Sequence, residues 1–189
     1  MKFTENRKIA WIALAVCVLF SIVVLGGSGM AREREKILDV FYEGAHKNDA
    51  SHCMDAYLDR AFESARLMAY EAKLHLGDSN QSANEILDCI ALADACAEGD
   101  TYGLYTQWKI IAYQNADSLY NEFYRANLSD AQRKNFKMAY DDFWECERFM
   151  QMDPYREMAA DFTNAVEGAF PANLVCKLFG VERLCSFGA

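Results

Sequence analysis

Pro154 and Pro171 are the only prolines in 189 residues. A chain so poor in helix breakers does not read as a sheet protein built from many tight turns. Ala, Leu, Glu, Asp and Met recur instead, which favours long helices, and an all-α fold is expected. Basic charge is also scarce. Of 19 Lys and Arg, Lys2, Arg7 and Lys8 precede the first apolar run, and of 28 Asp and Glu only Glu5 does, which leaves 16 basic against 27 acidic side chains and a net charge of −11 beyond it. Such a field repels phosphate, which excludes nucleic acid as a partner and weighs against an anionic-lipid surface. The sequence has no Gly-rich phosphate loop, no Gly-x-Ser-x-Gly elbow, no internal repeat and no low-complexity tract. No cofactor, no small-molecule substrate and no enzymatic activity are expected.

What the sequence does have is an uncharged run, IAWIALAVCVLFSIVVLGGSGMA, at residues 9–31. As a helix its 23 residues extend about 34 Å, against a hydrocarbon core of about 30 Å. It is expected to be an uncleaved single-pass anchor. The rival reading is a cleaved signal peptide, since Gly29-Met30-Ala31 fits a small-x-small cleavage site, although the apolar region exceeds the usual signal length. A lipid-modified Cys17 is discounted, because Val16 is bulky where a small residue is wanted. Lys2, Arg7 and Lys8 on one flank nearly balance Arg32, Arg34 and Lys36 on the other. The signal-anchor default then places the soluble region outside the cytoplasm.

The chain divides into an anchor with its short flank, residues 1–31, and a helical-bundle domain, residues 32–189. The first helix is expected to continue through Ile37, Val40 and Phe41 and to break between Gly44 and Ser51. A second runs from Ala50 to Leu76 on the stripe Met54, Tyr57, Leu58, Ala61, Phe62, Ala65 and Met68. A third spans Ser82 to Glu98 and is closed by Gly99-Asp100. The next carries Leu104, Trp108, Ile111, Asn115, Leu119 and Phe123 and ends near Asn127. Ser129-Asp130-Ala131-Gln132 reads as a capping box that opens a helix through Met150. Asp153-Pro154 starts another, Phe170-Pro171-Ala172-Asn173 stops it, and Leu174 to Phe179 makes a short terminal helix. Short connections between such helices predict an antiparallel up-and-down bundle.

Candidate chemistry is thin. Glu43-x-x-His46 and Asp49-x-x-His52 have the spacing of di-iron ligand pairs, but both sit in one bend instead of on facing helices, so no metal site is assigned. His75 follows Glu71 by one turn, an ordinary surface pairing. Six cysteines follow the anchor: Cys53, Cys89, Cys96, Cys146, Cys176 and Cys185. Cys89 and Cys96 on one helix would stand about 10.5 Å apart, beyond the roughly 4.4–6.8 Å a disulfide needs. Interhelix bridges in an exported domain and buried free thiols are both open, with Cys176 and Cys185, at the two ends of the tail, the first pair to consider. Asp141, Asp142, Glu145 and Glu147 read as a solvated acidic face. Trp108 and Trp144 read as core. Asn80-Gln81-Ser82 and Asn127-Leu128-Ser129 match glycosylation acceptors without further support.

At Asp153-Pro154-Tyr155-Arg156-Glu157-Met158-Ala159-Ala160-Asp161-Phe162, then Phe170-Pro171-Ala172-Asn173-Leu174-Val175 and Leu178-Phe179-Gly180, the sequence resembles the LemA family of bacterial membrane proteins. The N-terminal apolar run and Val40-Phe41-Tyr42-Glu43-Gly44 agree with the resemblance. It departs at Tyr57-Leu58-Asp59-Arg60, where many relatives carry a proline-asparagine-leucine element. The resemblance implies one N-terminal transmembrane helix, a long antiparallel helical domain and no catalytic residue to carry over. Together with the residue pattern, it leads to the expectation of a non-enzymatic, membrane-anchored scaffold of the bacterial cell envelope that engages another protein. The alternative is an extracytoplasmic sensor, whose ligand pocket would use polar groups such as Asn115 or His52.

Overall fold

The computed structural model describes residues 7–45, 51–168 and 171–187. All regular structure among them is helical, with no strand. Helix α1 covers Arg7–Glu43, about 55 Å of unbroken helix. It passes without interruption through the point between Ala31 and Arg32 where composition changes from apolar to charged. Gly44, at φ 80°, takes the left-handed conformation that ends it.

Helix α2 (Met54–Leu76) starts on Cys53, whose Sγ accepts from the Ala56 amide at 3.5 Å and donates to the Tyr42 carbonyl at 3.2 Å. A cysteine thus fills the place that Ser or Asp usually holds. Of the expected stripe, Met54, Leu58, Ala61, Phe62, Ala65 and Met68 are buried, and Ala69 and Ala72 continue it, while Tyr57 is only half-buried and stacks on Phe149. Helix α3 (Gln81–Asp94) is capped by Asn80, whose Oδ1 accepts from Ala83 N at 2.9 Å. It stops four residues before the expected Glu98. A turn through Gly99, at φ 79°, replaces its last turn.

Asp100 then caps α4 (Thr101–Ile110), accepting from Gly103 N at 2.8 Å, so this helix opens earlier than the apolar stripe at Leu104 suggests. It widens into a π-helical stretch, Ile111–Ala116, before α5 (Asp117–Arg125). The stretch buries Ile111, Ala112, Asn115 and Ala116, and Asn115 Nδ2 donates to the Ile110 carbonyl at 3.3 Å. Helix α6 (Asp130–Met152) carries the capping box: Ser129 Oγ accepts from Gln132 N while Gln132 Oε1 accepts from Ser129 N at 2.8 Å. Asp153 Oδ1 accepts from Tyr155 N at 2.9 Å where α7 (Tyr155–Glu167) begins. Helix α8 (Ala172–Phe179) ends on left-handed Gly180.

The packing is antiparallel. Pairs Tyr57–Phe149, Arg60–Asp142 and His75–Gln132 run in opposite directions along α2 and α6, which form the most extensive contact in the molecule. Lys73–Asn84 and Arg66–Asp94 set α3 against α2 in the same way. Phe123 stacks on Phe136 with centroids 4.1 Å apart and joins α5 to α6. The far end of α1 closes the bundle: Phe41 is fully buried, 5.0 Å from Tyr155 and 6.1 Å from Phe187. Residues 181–187 return along α7, where the Thr163 hydroxyl donates to Leu184 O at 2.7 Å and accepts from Leu184 N at 3.1 Å.

Candidate functional site

The two halves of α1 live in different surroundings. From Ile37 onward the helix is packed into the core. Before Gly26 it projects free, with Trp11, Ile12, Leu14, Val16, Val18, Leu19, Phe20, Val24 and Leu25 all exposed. At about 25 cal/mol for each Å² of apolar surface left in water, so long an uncovered run is costly, and the segment fits an apolar phase outside the protein. A core helix of the same composition would be buried. This one is long and apolar enough to cross a membrane.

The second exposed apolar feature is the face shared by α2 and α6. Ser64 Oγ donates to Asp142 Oδ2 at 2.6 Å, and Arg60 Nε donates to the same oxygen at 3.1 Å. Burial pulls the Asp142 carboxyl upward, but the hydrogen bonds from Arg60 and Ser64 outweigh it and hold it below the usual range. Asp142 is therefore a clasp between helices and not only part of a solvated acidic patch. Beside this clasp opens a groove of about 400 Å³, lined by Ser64, Leu67 and Glu71 on α2 and by Asn135, Met138 and Ala139 on α6. Leu67 and Met138 of this groove are 49% and 62% exposed, and Tyr70 and Leu74 add exposed apolar side chains further along α2. Leu67, Tyr70 and Leu74 recur at i, i+3 and i+7, a second stripe that the core of α2 does not use. That redundancy is the sequence signal that marks the face, and the single-stripe reading of the helix passes over it.

A third feature is a small cavity of about 110 Å³ between α4, α6 and the C-terminal tail, lined by Tyr105, Trp108, Tyr113, Glu147, Arg156 and Phe187 among others. Burial raises the Glu147 carboxyl, partly offset by the Gln151 amide. Arg156 is committed to the carbonyls of Ser186 and Gln151 at 3.2 and 2.9 Å. Trp108 Nε1 is buried with no hydrogen-bond partner among the described residues. The volume falls below the roughly 300–1,000 Å³ of ordinary ligand pockets.

The sequence candidates do not converge. His46 and Asp49 lie outside the described residues. Glu43 closes α1, and His52 sits in the turn before α2 with Nδ1 3.0 Å from Ser51 Oγ. His75 bridges Glu71 at 3.3 Å and Gln132 at 3.1 Å and is partly buried between α2 and α6, more enclosed than a surface pair. Asn115 turns to the backbone of its own helix instead of a pocket. Among the described residues no group of His, Cys, Asp and Glu is placed to hold a metal ion. Cys89 is buried on α3, while Cys96 lies past the helix end, so the two do not share a helix as expected. Cys176 is buried on α8 and Cys185 in the tail, where its amide donates to Thr101 Oγ1 at 2.9 Å; both are free thiols, as are the other described cysteines. Burial pushes both thiols up.

No family model, no curated protein and no solved structure matches the chain. The class defined here is an all-helical bundle with one N-terminal apolar helix. None of these comparisons supports the resemblance to LemA proteins.

Proposed function

We propose that this chain is a non-enzymatic, membrane-anchored helical scaffold of a bacterial cell envelope, whose bundle docks a protein partner on the α2–α6 face. One observation carries the reading: a continuous helix joins an uncovered apolar segment to a bundle that presents its own apolar groove, Leu67 against Met138, beside acidic Glu71 and Asp142. The groove suits a partner helix with apolar and basic side chains, which the net negative charge of the domain also attracts. An extracytoplasmic location follows from the signal-anchor default.

The second reading is a ligand-binding sensor, and the unpartnered Trp108 indole beside the aromatic cavity is the observation that favours it. The cavity volume restricts that reading to molecules of a few heavy atoms, so the scaffold is preferred.

The test is co-purification of the full chain in mild detergent, comparing wild type with a Leu67→Glu, Leu74→Glu double variant and a Leu92→Glu control on exposed α3. The scaffold reading predicts a partner retained by wild type and control and lost from the double variant, with helical content unchanged. Equal retention by all three chains would contradict it.

A further inference from the structure

Helix α8 docks on α1 inside the apolar run, not beyond it. Val175 lies 3.6 Å from where a Cβ on Gly26 would stand, and a Cβ on Gly27 would overlap the Phe179 ring. The two glycines thus let a second helix approach the backbone of α1 closely. Val175 and the Phe179 ring make that contact, and Val175 is buried in it. The outward residues are Leu174 and Leu178, the latter 62% exposed, and Phe179 keeps its outer edge exposed beyond its contact with α1.

The level of this contact is fixed along α1. A hydrocarbon core of about 30 Å takes about 20 helical residues. Counted from Ile9, the span ends close to Ser28, one residue past the docking glycines. Helix α8 has eight residues and is about 12 Å long, so whatever its tilt it stays within about 6–12 Å of that level. Charge begins one turn further on, at Arg32 and Arg34, and Arg34 is tied back to the carbonyls of Gly99 and Glu182 at 3.2 and 3.3 Å. The exposed side of α8 therefore lies at the level where the exposed apolar part of α1, which runs to Leu25, gives way to the charged bundle.

We propose that α8 is an interfacial helix, which lays Leu174, Leu178 and the exposed edge of Phe179 into the boundary between lipid headgroups and acyl chains and holds the bundle at a set depth against the bilayer. The inference rests on the reading of α1 as a membrane span. Lys177 reaches from the same helix toward the headgroups, as long basic side chains do at membrane surfaces. Because the domain is acidic, the attraction is apolar and needs no anionic lipid.

The test reconstitutes the full chain in phosphatidylcholine vesicles with a photoreactive benzoylphenylalanine at Leu178, Phe20 or Leu92, one position at a time, and reads adducts by intact mass. The expected result is a mass shift of one phosphatidylcholine from positions 178 and 20 and none from 92. Lipid adducts from 20 without any from 178 would overturn the α8 assignment while leaving the anchor in place. Dimers of the chain formed through 178 would overturn it in favour of a second copy on that face. No lipid adduct from 20 would remove the anchor reading, and the α8 proposal with it.

Discussion

Ser64 and Asp142, 78 residues apart in the chain, are joined by a 2.6 Å hydrogen bond that fixes the register of α2 against α6. Arg60 closes on the same carboxylate from one turn away. Charge-assisted bonds of this kind, partly shielded from water, contribute about 1–2 kcal/mol together, more than an exposed ion pair. Asp142→Ala is expected to lower unfolding free energy by about that amount at neutral pH, measured by urea denaturation. The folded carboxyl is held below its ordinary value, so its contribution is present above about pH 4 and is lost as pH falls through the lowered value. The gap between wild type and variant should therefore close at acid pH. A gap independent of pH would show that the carboxylate charge contributes nothing.

Asp55 behaves in the opposite sense. Burial, reinforced by the Asp59 carboxylate one turn along α2, raises its carboxyl to about 6. Between the ordinary carboxylate value and this one the folded state binds more protons than the unfolded state, so the residue makes stability fall as pH rises from about 4 to 6. Asp55→Asn removes the titration. The variant should show a smaller loss of stability across that window than wild type when both are unfolded in urea at a series of pH values. Parallel pH curves for the two chains would contradict the assignment.

Gly99 is the point where the lower half of α1 grips the turn between α3 and α4. Its amide donates to the Tyr42 hydroxyl at 2.9 Å, its carbonyl accepts from Arg34 at 3.2 Å, and its φ is 79°. A Cβ there would stand 3.3 Å from the Leu38 side chain in addition to the backbone cost. Gly99→Ala should lose about 1–2 kcal/mol. Tyr42→Phe, which leaves the amide without its acceptor, should lose about 1 kcal/mol. Thermal unfolding checks both.

The thiols give a reactivity pattern. Burial, with the Asp142 charge nearby, pushes the Cys146 thiol up to about 11, and burial also raises Cys53, Cys89, Cys96, Cys176 and Cys185, so that accessibility sets Cys96 apart. A protonated buried thiol is a poor nucleophile. In the folded protein the five buried thiols should resist maleimide while the more accessible Cys96 reacts, and all should label after denaturation without reductant. Failure of Cys176 and Cys185 to label in the denatured, unreduced chain would mean that they are oxidised to a disulfide.

Helix existence was legible in the sequence because the period of the core stripe on α2 and the capping residues Ser129 and Asp153 act locally, whereas the cap that Asn80 supplies to α3 went unread. The end of α3 was not, since Leu92 and Ala93 continue a helical pattern, and the turn that follows combines local backbone bonds with the long-range hold of Tyr42 and Arg34 on Gly99. Nor was the π-helical stretch at Ile111–Ala116, because one wider turn leaves no mark in apolar periodicity. The groove residues Leu67 and Met138 lie on different helices, and which faces meet is decided by contacts such as Arg60–Asp142 that spacing alone does not pair. The docking of α8 on Gly26 and Gly27 is legible only afterwards, as the reason why the apolar run carries adjacent glycines where it meets a second helix.

The most direct test of the account is alkaline-carbonate extraction of membranes from cells that make the full chain, followed by intact-mass measurement of the protein in each fraction. A membrane-anchored bundle predicts that the whole chain, residues 1–31 included, stays with the carbonate-washed membranes. Recovery of a shorter chain, cut after Ala31, in the soluble fraction would show that the apolar segment is a signal sequence and would contradict the anchor.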